Sequence, residues 1–299
     1  MKAKYKKTLI LVQNLFKSNK LLIRSENNFI ANKKYESPPI FIIGLPRSGT
    51  TLLYQLLIDT YRFAYFSNIS NYFFTSPVLL SYISLKIFGY YKPIDYESQF
   101  GLTSGISSPS ESGFIFRNWF DKTINKEKIT KSIFAVSNVY GAPFITKNLY
   151  NNFRVEILNV LFPNSVFIEV KRDLKFVGQS LLKARKDKFG SYNEWFGVEP
   201  LDYKEIRKIE NPIEQVSRQI LSINKTIKSS LAKIEGNRKI EITYDELCNN
   251  PDLVLKQIIN FLDKNKIKPE KIRDIHTPII NSNNIRLPKN EWNELCKYL

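Results

Sequence analysis

The stretch Ile40-Phe41-Ile42-Ile43-Gly44-Leu45-Pro46-Arg47-Ser48-Gly49-Thr50-Thr51-Leu52-Leu53 carries the clearest structural signal in this 299-residue chain. Its unbroken apolar start is typical of a buried parallel strand, and the strand ends in a turn that contains glycine. Hydroxyl residues follow at once, and a helix is predicted to begin near Thr50. Such a turn directs backbone N–H groups and the positive end of a helix dipole at one point. The stretch therefore predicts an anion site that suits a phosphate.

The spacing from Gly44 to Thr51 comes close to the Walker A pattern G-x-x-x-x-G-K-[ST]. The position after Gly49 is Thr50, however, and not the lysine that contacts the β- and γ-phosphates of a nucleotide triphosphate. The cation lies inside the loop instead, as Arg47. A P-loop kinase or NTPase stays an alternative, but the missing lysine argues against a triphosphate.

A second cluster of charge follows residues 166–170, which are predicted to form another buried strand. Ligands of open α/β sheets bind at the carboxyl ends of the strands, where Arg172 is expected. The guanidinium of Arg172 offers a planar fork to a phosphate, and Ser180, in the next predicted helix, can add a hydroxyl donor. An arginine and a serine at this spacing are a weak signal alone, and their position after a strand strengthens it.

These motifs resemble those of sulfotransferases that use 3′-phosphoadenosine-5′-phosphosulfate (PAPS). Residues 46–51, Pro-Arg-Ser-Gly-Thr-Thr, match the 5′-phosphosulfate loop P-[KR]-S-G-[TS]-[TS] at every position, and Arg172 with Ser180 is similar to the 3′-phosphate motif. Residues 242–247, Ile-Thr-Tyr-Asp-Glu-Leu, are similar to a further strand end of the family. The arginine in the loop makes the chain look most like bacterial, glycan-type or tyrosyl-type members.

The resemblance implies transfer of a sulfuryl group from PAPS to an acceptor hydroxyl, with release of adenosine 3′,5′-bisphosphate and with no metal. It implies that Arg47 is also catalytic, because its charge can neutralise the leaving 5′-phosphate oxygen. Tyr244 is the candidate neighbour of the adenine. The residues that the resemblance assigns to the donor are Pro46, Arg47, Ser48, Gly49, Thr50, Thr51, Arg172, Ser180 and Tyr244.

The general base is harder to assign. Many cytosolic members use a histidine between the two phosphate motifs, whereas the single histidine of this chain, His276, lies after both. Glycan-type and tyrosyl-type members use a glutamate, and the acidic segment at residues 108–113 makes Glu111 the candidate. The alternatives are Glu97, Asp95 and Asp121.

The chain has 45 Lys and Arg against 28 Asp and Glu, a formal net charge of +17. This excess suits an anionic ligand, an acidic polymer or a membrane surface, and it leaves a non-catalytic polyanion-binding protein as the less favoured alternative. The basic residues are spread along the chain, as in a globally biased composition, and no nucleic-acid partner is expected. The basic start at residues 2–7 is a candidate for peripheral contact with a membrane.

Strands that alternate with helices predict an α/β fold, a single P-loop-type domain whose central, mainly parallel sheet is flanked by helices on both faces. We expect this domain at residues 37–299, after a basic lead-in at residues 1–36. Neither cysteine has metal-like spacing and no apolar run is long enough to span a bilayer, so a cytoplasmic protein is expected. The acceptor (carbohydrate, lipid, peptide or small alcohol) and the oligomeric state stay open.

The remaining elements are predicted from apolar periodicity and from helix start signals. Strands are expected at residues 62–66 and 239–243, and a helix at residues 144–162. Further helices are expected to begin at Asn211-Pro212 and Asn250-Pro251, and the tail from Asp263 is expected to be irregular.

Overall fold

The computed structural model describes residues 20–31, 36–90, 103–121, 124–275 and 278–299 of the chain. None of the helices in these ranges is both long enough and apolar enough to cross a bilayer. The helices are α1 (Lys20–Ala31), α2 (Thr50–Thr60), α3 (Asn68–Tyr72), α4 (Pro77–Phe88), α5 (Gly113–Phe120), α6 (Lys126–Tyr140), α7 (Val155–Leu161), α8 (Leu174–Phe189), α9 (Tyr203–Ile206), α10 (Pro212–Ala232), α11 (Tyr244–Asn249), α12 (Pro251–Lys264) and α13 (Lys289–Tyr298).

Within these ranges, four parallel strands form one sheet: β1 (Ile40–Gly44), β2 (Ile145–Lys147), β3 (Val166–Lys171) and β4 (Lys239–Thr243). Their order is β2-β1-β3-β4, and β1 is buried along its whole length because it lies inside the sheet. The register pairs the last residue of β3 with the last residue of β4. The predicted α/β fold, with a parallel sheet flanked by helices, is confirmed.

The chain divides into two compact units. The first comprises residues 1–40, 57–146 and 266–274, and the second comprises residues 41–56, 147–265 and 275–299. All the residues that the sequence assigns to the donor belong to the second unit. Glu111 belongs to the first.

A buried carboxylate joins two helices of the first unit. Glu26 on α1 accepts hydrogen bonds from the backbone N–H groups of Val78 (3.0 Å) and Leu79 (2.8 Å), in the first turn of α4. These N–H groups have no partner within their own helix, and the helix dipole favours a negative charge there. Burial nevertheless raises the pKa of Glu26 to about 7, because desolvation outweighs the two hydrogen bonds.

Two predicted elements in the middle of the chain are wrong. Residues 62–66 do not form a strand, and Ala64 makes only an isolated bridge to Phe144. The helix predicted at residues 144–162 is instead β2, a 3-10 helix at Leu149–Phe153 and then α7. The side chain of Asn148 accepts a hydrogen bond from the N–H of Tyr150, which starts the new helical turn and separates it from β2.

The start of α10 is as predicted, because Asn211 caps it by accepting hydrogen bonds from the next two N–H groups after Pro212. The tail is more regular than predicted, since α12 runs to Lys264 and α13 forms near the C-terminus. In α13, Leu295 is fully buried, and a Cβ atom on Gly178 of α8 would lie 2.9 Å from its Cδ1. The missing side chain of Gly178 thus lets α13 approach α8 closely.

Candidate active site

The loop between β1 and α2 has an unusual backbone. Arg47 has a φ of +69° and Gly49 a φ of +98°, both in the left-handed region that most L-residues avoid. The N–H of Ser48 donates to the carbonyl of Leu45 at 3.2 Å, which closes the turn. A non-glycine residue in this conformation stores strain that the surrounding contacts must offset. The turn is therefore held by its neighbours rather than by local preference.

Asn152, in the 3-10 helix after β2, holds the point where this loop leaves the sheet. Its Oδ1 accepts from the N–H of Gly44 at 3.1 Å, and its Nδ2 donates to the carbonyl of Gly44 at 2.9 Å. The side chain of Asn152 is fully buried. A Cβ atom on Gly44 would lie 2.7 Å from the carbonyl oxygen of Val170, so only glycine fits between β1 and β3.

The loop presents polar groups at the start of α2. Ser48 and Thr50 are buried, whereas Arg47, Gly49 and Thr51 are partly exposed. Among the residues that the structure describes, the Oγ atom of Ser48 is buried and has no hydrogen-bond partner. Buried hydroxyls are rarely left in this state, and a ligand oxygen is one group that can complete them. The orphaned hydroxyl and the helix N-terminus together make an anion cradle.

The structure brings the two predicted phosphate motifs together. Arg172 follows β3, and its Nη1 donates to the carbonyl of Arg47 at 2.9 Å. The Nε of Arg47 in turn donates to the Oγ of Ser180, on α8, at 3.1 Å. Direct hydrogen bonds therefore join two motifs that lie more than 120 residues apart in sequence. The hydroxyl proton of Ser180 is not used in that bond, so it can still be donated to an anion.

Tyr244 completes this group at the end of β4. The guanidinium carbon of Arg172 lies 4.2 Å from the centroid of the Tyr244 ring, which is a cation–π distance. A Cβ atom on Gly49 would lie 2.6 Å from Cδ2 of the same ring. Partial burial lowers the pKa of Arg172, and the nearby charge of Arg47 lowers it further, while Tyr244 opposes the shift. Burial raises the pKa of the Tyr244 hydroxyl.

The geometry agrees with a comparison against models of protein families. Residues 38–266 match the model described as the sulfotransferase family, a match that covers more than half of the chain. The chain belongs to the sulfotransferase family. It is therefore a transferase enzyme, and PAPS is in general the co-substrate of its family.

Solved sulfotransferases have a similar fold. The chain is similar to the sulfotransferase STF9 from Mycobacterium avium, with a TM-score of 0.53 and 15% identity over 81% of this chain and 67% of that one. It is also similar to a sulfotransferase from Alicyclobacillus acidocaldarius, with a TM-score of 0.47 and 15% identity over 88% and 92% of the two chains. At such identities the first similarity supports the fold alone. A comparison with curated protein sequences gives no match.

The structure places two further residues beside Arg172 of this sulfotransferase. Its Nε donates to the Oδ1 of Asn283 at 2.7 Å, and its Nη2 donates to the Oγ of Ser282 at 3.1 Å. The hydroxyls of Ser282 and Tyr244 are 2.9 Å apart. Sequence reasoning missed both residues because they lie in an irregular Asn-rich segment with no periodicity.

Sequence reasoning also left one buried lysine without a role. Lys147 is only 2% exposed and ends β2, the strand next to β1. Because parallel strands end at the same edge of a sheet, Lys147 lies at the edge from which the loop between β1 and α2 departs. The signal that could have found it is a lysine directly after the short strand-prone run Phe144-Ile145-Thr146.

Glu111, the candidate base, lies in the first unit on a loop held by its neighbours. The flanking residues Ser110 and Ser112 are buried, and the N–H of Ser110 donates to the carbonyl of Phe66 at 2.8 Å. Ser112 has a φ of +58°, so the backbone next to Glu111 is strained. Of the alternatives, Asp121 pairs with Arg117 at 3.7 Å. Glu97, Asp95 and also His276 lie outside the described residues.

Among the described residues no group of three His, Cys, Asp or Glu side chains is arranged to hold a metal ion. Arg47 and Arg172 bring positive charge to the site, and Lys147 ends the strand beside β1.

Proposed function

We propose that this sulfotransferase moves the sulfuryl group of PAPS to an acceptor hydroxyl and releases adenosine 3′,5′-bisphosphate. The observation that carries the proposal is the pair of hydrogen bonds between the two predicted phosphate motifs. One runs from Arg172 to the Arg47 carbonyl, and the other from Arg47 to Ser180. A nucleotide triphosphate has a single chain of phosphates, whereas PAPS has two separate phosphates on one ribose. Two linked anion sites therefore suit PAPS.

In this proposal the loop residues hold the 5′-phosphosulfate. The backbone N–H groups at residues 47–51 and the hydroxyls of Ser48, Thr50 and Thr51 donate to its oxygens, and Pro46 helps to fix the turn. The new bond joins the acceptor oxygen to sulfur, and the bond that breaks joins sulfur to the 5′-phosphate oxygen. Arg47 stabilises the negative charge that develops on that leaving oxygen, and the buried charge of Lys147 adds to the field.

The second site would bind the 3′-phosphate through the guanidinium fork of Arg172 and the hydroxyl of Ser180. Tyr244 would lie beside the adenine, on the strength of its contact with Gly49 of the loop. Glu111 would take the proton of the acceptor hydroxyl. The acceptor class is a hydroxyl of a small molecule, glycan, lipid or peptide.

Calorimetric titration with adenosine 3′,5′-bisphosphate and with ATP–Mg²⁺ tests the donor half of this proposal. We expect the bisphosphate to bind, ATP–Mg²⁺ to bind much more weakly, and Ser180→Ala to weaken the bisphosphate alone. Preferential binding of ATP–Mg²⁺ would instead support the kinase alternative. Tight binding of polyanions that is indifferent to Arg47→Ala would support the non-catalytic one.

The role of Glu111 has a separate test. Transfer of radiolabelled sulfate from PAPS is measured across a panel of phenols, alkyl alcohols and sugars. We expect Glu111→Gln to abolish transfer to every acceptor while affinity for adenosine 3′,5′-bisphosphate stays the same. Retained transfer by Glu111→Gln, together with loss in Asp121→Asn, would move the role of base to Asp121.

A further inference from the structure

The guanidinium of Arg172 is already bonded on three sides in the structure. Nη1 donates to the carbonyl of Arg47 in the phosphate loop at 2.9 Å. The other two acceptors are Asn283, 2.7 Å from Nε, and Ser282, 3.1 Å from Nη2. The shortest of these bonds thus goes to a neutral side chain from residues 281–287, and it uses a donor that a phosphate would need.

The orientation of the Asn283 amide is fixed by its second partner. Its Nδ2 donates to the Oδ1 of Asp245 at 2.8 Å. Rotation of the amide by half a turn would place NH₂ against a guanidinium and oxygen against a carboxylate, both of which repel. Asn283 therefore presents an oxygen to Arg172, as a phosphate would. One of the two N–H donors of this amide is used by Asp245, which holds the oxygen towards Arg172.

We propose that Asn283 is an internal ligand of Arg172 that the 3′-phosphate of the donor must displace, so that Asn283 determines the affinity for 3′-phosphorylated nucleotides. The proposal rests on the donor site proposed above. A phosphate dianion forms charge-assisted hydrogen bonds to an arginine, which are stronger than those of an amide oxygen. A neutral 3′-hydroxyl forms no such charge-assisted bonds, so it does not offset the loss of the bond between Arg172 and Asn283. A nucleotide with that hydroxyl leaves Asn283 in place, so Asn283 lowers the affinity for bisphosphorylated ligands alone.

The segment around Asn283 is held at points that do not depend on Arg172. Asp245 also accepts from Nδ2 of Asn281 at 2.8 Å. Further along, Nε2 of Gln179 donates to the carbonyl of Asn284 at 2.8 Å, and its Oε1 accepts from the N–H of Arg286 at 2.6 Å. These bonds keep residues 281–287 in place, so displacement requires only that the Asn283 side chain rotates away.

Calorimetric titration of the full chain with adenosine 3′,5′-bisphosphate tests the proposal, with adenosine 5′-monophosphate as the ligand that lacks the 3′-phosphate. Removing a hydrogen bond to a charged group changes a competing equilibrium by about tenfold, so we expect Asn283→Ala to bind the bisphosphate about tenfold more tightly. Affinity for the monophosphate should not change. Asn283→Leu, which keeps the volume but removes the oxygen, should behave like Asn283→Ala.

Asn284→Ala is the matched control, because the side chain of Asn284 bonds to Arg286 within the same segment and not to Arg172. Its affinity for the bisphosphate should equal that of the unmodified chain. Thermal melting of each variant shows that it is folded. Equal or weaker binding of the bisphosphate by Asn283→Ala overturns the proposal, as does a gain in Asn283→Ala that Asn283→Leu does not share.

Arg172→Ala separates this failure from failure of the donor site itself. If the unmodified chain prefers the bisphosphate and Arg172→Ala loses that preference, the donor site stands and Asn283→Ala alone decides the inference. If the unmodified chain does not distinguish the bisphosphate from the monophosphate, the donor site and the role of Asn283 are both overturned.

Discussion

Replacement of Asn152 by alanine tests whether a buried amide supports the loop between β1 and α2. Asn152 makes two hydrogen bonds to the backbone of Gly44, one to the N–H and one to the carbonyl, at 3.1 and 2.9 Å. The alanine variant removes both and leaves a cavity, because Asn152 is fully buried. A hydrogen bond lost at a buried polar group costs about 1–3 kcal/mol, so we expect a loss of about 2–4 kcal/mol in the free energy of unfolding.

Asn152→Ala should also weaken ligand binding. Gly44 is the last residue of β1, and the loop that we assign to the 5′-phosphosulfate begins directly after it. Loss of both bonds frees that starting point, so part of the binding energy is spent on ordering the loop. We expect the affinity for adenosine 3′,5′-bisphosphate to fall about tenfold, which corresponds to about 1.4 kcal/mol.

Urea denaturation followed by circular dichroism measures the stability, and calorimetry measures the affinity. Asn249→Ala is the control, because Asn249 is an exposed asparagine and surface changes stay within about 0.5 kcal/mol. Asn152→Asp adds a second comparison, since its carboxylate can still accept from the Gly44 N–H but faces the Gly44 carbonyl with an oxygen. A loss below about 1 kcal/mol in Asn152→Ala, with unchanged affinity, would refute the reasoning.

Three further predictions concern stability and binding. Arg172→Lys keeps the charge but loses the planar guanidinium, so calorimetry should show at least about tenfold weaker binding of adenosine 3′,5′-bisphosphate. Unchanged affinity would show that the planar guanidinium is not needed for binding. In Gly49→Ala the alanine would have a left-handed φ, and its new Cβ atom would lie 2.6 Å from the Tyr244 ring. This variant should therefore melt at a lower temperature than Gly190→Ala, where φ is +76° and the space around the Cβ atom is open. Equal melting temperatures would mean that backbone strain alone destabilises both variants. The raised pKa of Glu26, about 7 in the folded chain against 4.5, means that the folded state binds the proton more tightly. The protonated Glu26 therefore stabilises the fold fully below pH 4.5, and this contribution, up to about 3 kcal/mol, is lost as the pH rises through 7. Urea denaturation at pH 5 and pH 8 should show this fall in the free energy of unfolding, and Glu26→Gln should remove it.

The sequence was most informative where a local pattern has a single chemical meaning. The apolar run, the glycine turn and the hydroxyl residues at 40–51 predicted β1, the loop and α2, because neighbouring residues alone determine those features. Arg172 and Ser180 were predicted for the same reason, since both are defined by their distance from one strand. The bond from Arg47 to Ser180 could not be predicted, because it depends on the packing of α8 beside the loop.

Residues whose role depends on long-range hydrogen bonds escaped prediction. Asn152 acts through Gly44, 108 positions earlier, and Asn283 acts through Arg172, 111 positions earlier. Asparagine has no periodic signature, and in an Asn-rich chain each one also reads as a turn residue. The mistaken helix at residues 144–162 has the same origin, because the side chain of Asn148 caps the turn that divides it.

Arg47 links the two proposed phosphate sites. Its carbonyl accepts from Arg172, and its side chain donates to Ser180, while its own backbone is held in the left-handed region. A ligand that draws Arg172 towards a 3′-phosphate therefore also changes the hydrogen bonding of the residue proposed to stabilise the leaving 5′-phosphate. Hydrogen-bonded groups that share a residue do not contribute independently. In the proposed mechanism the 3′-phosphate would thus serve catalysis as well as recognition, because its binding would affect how firmly Arg47 is positioned.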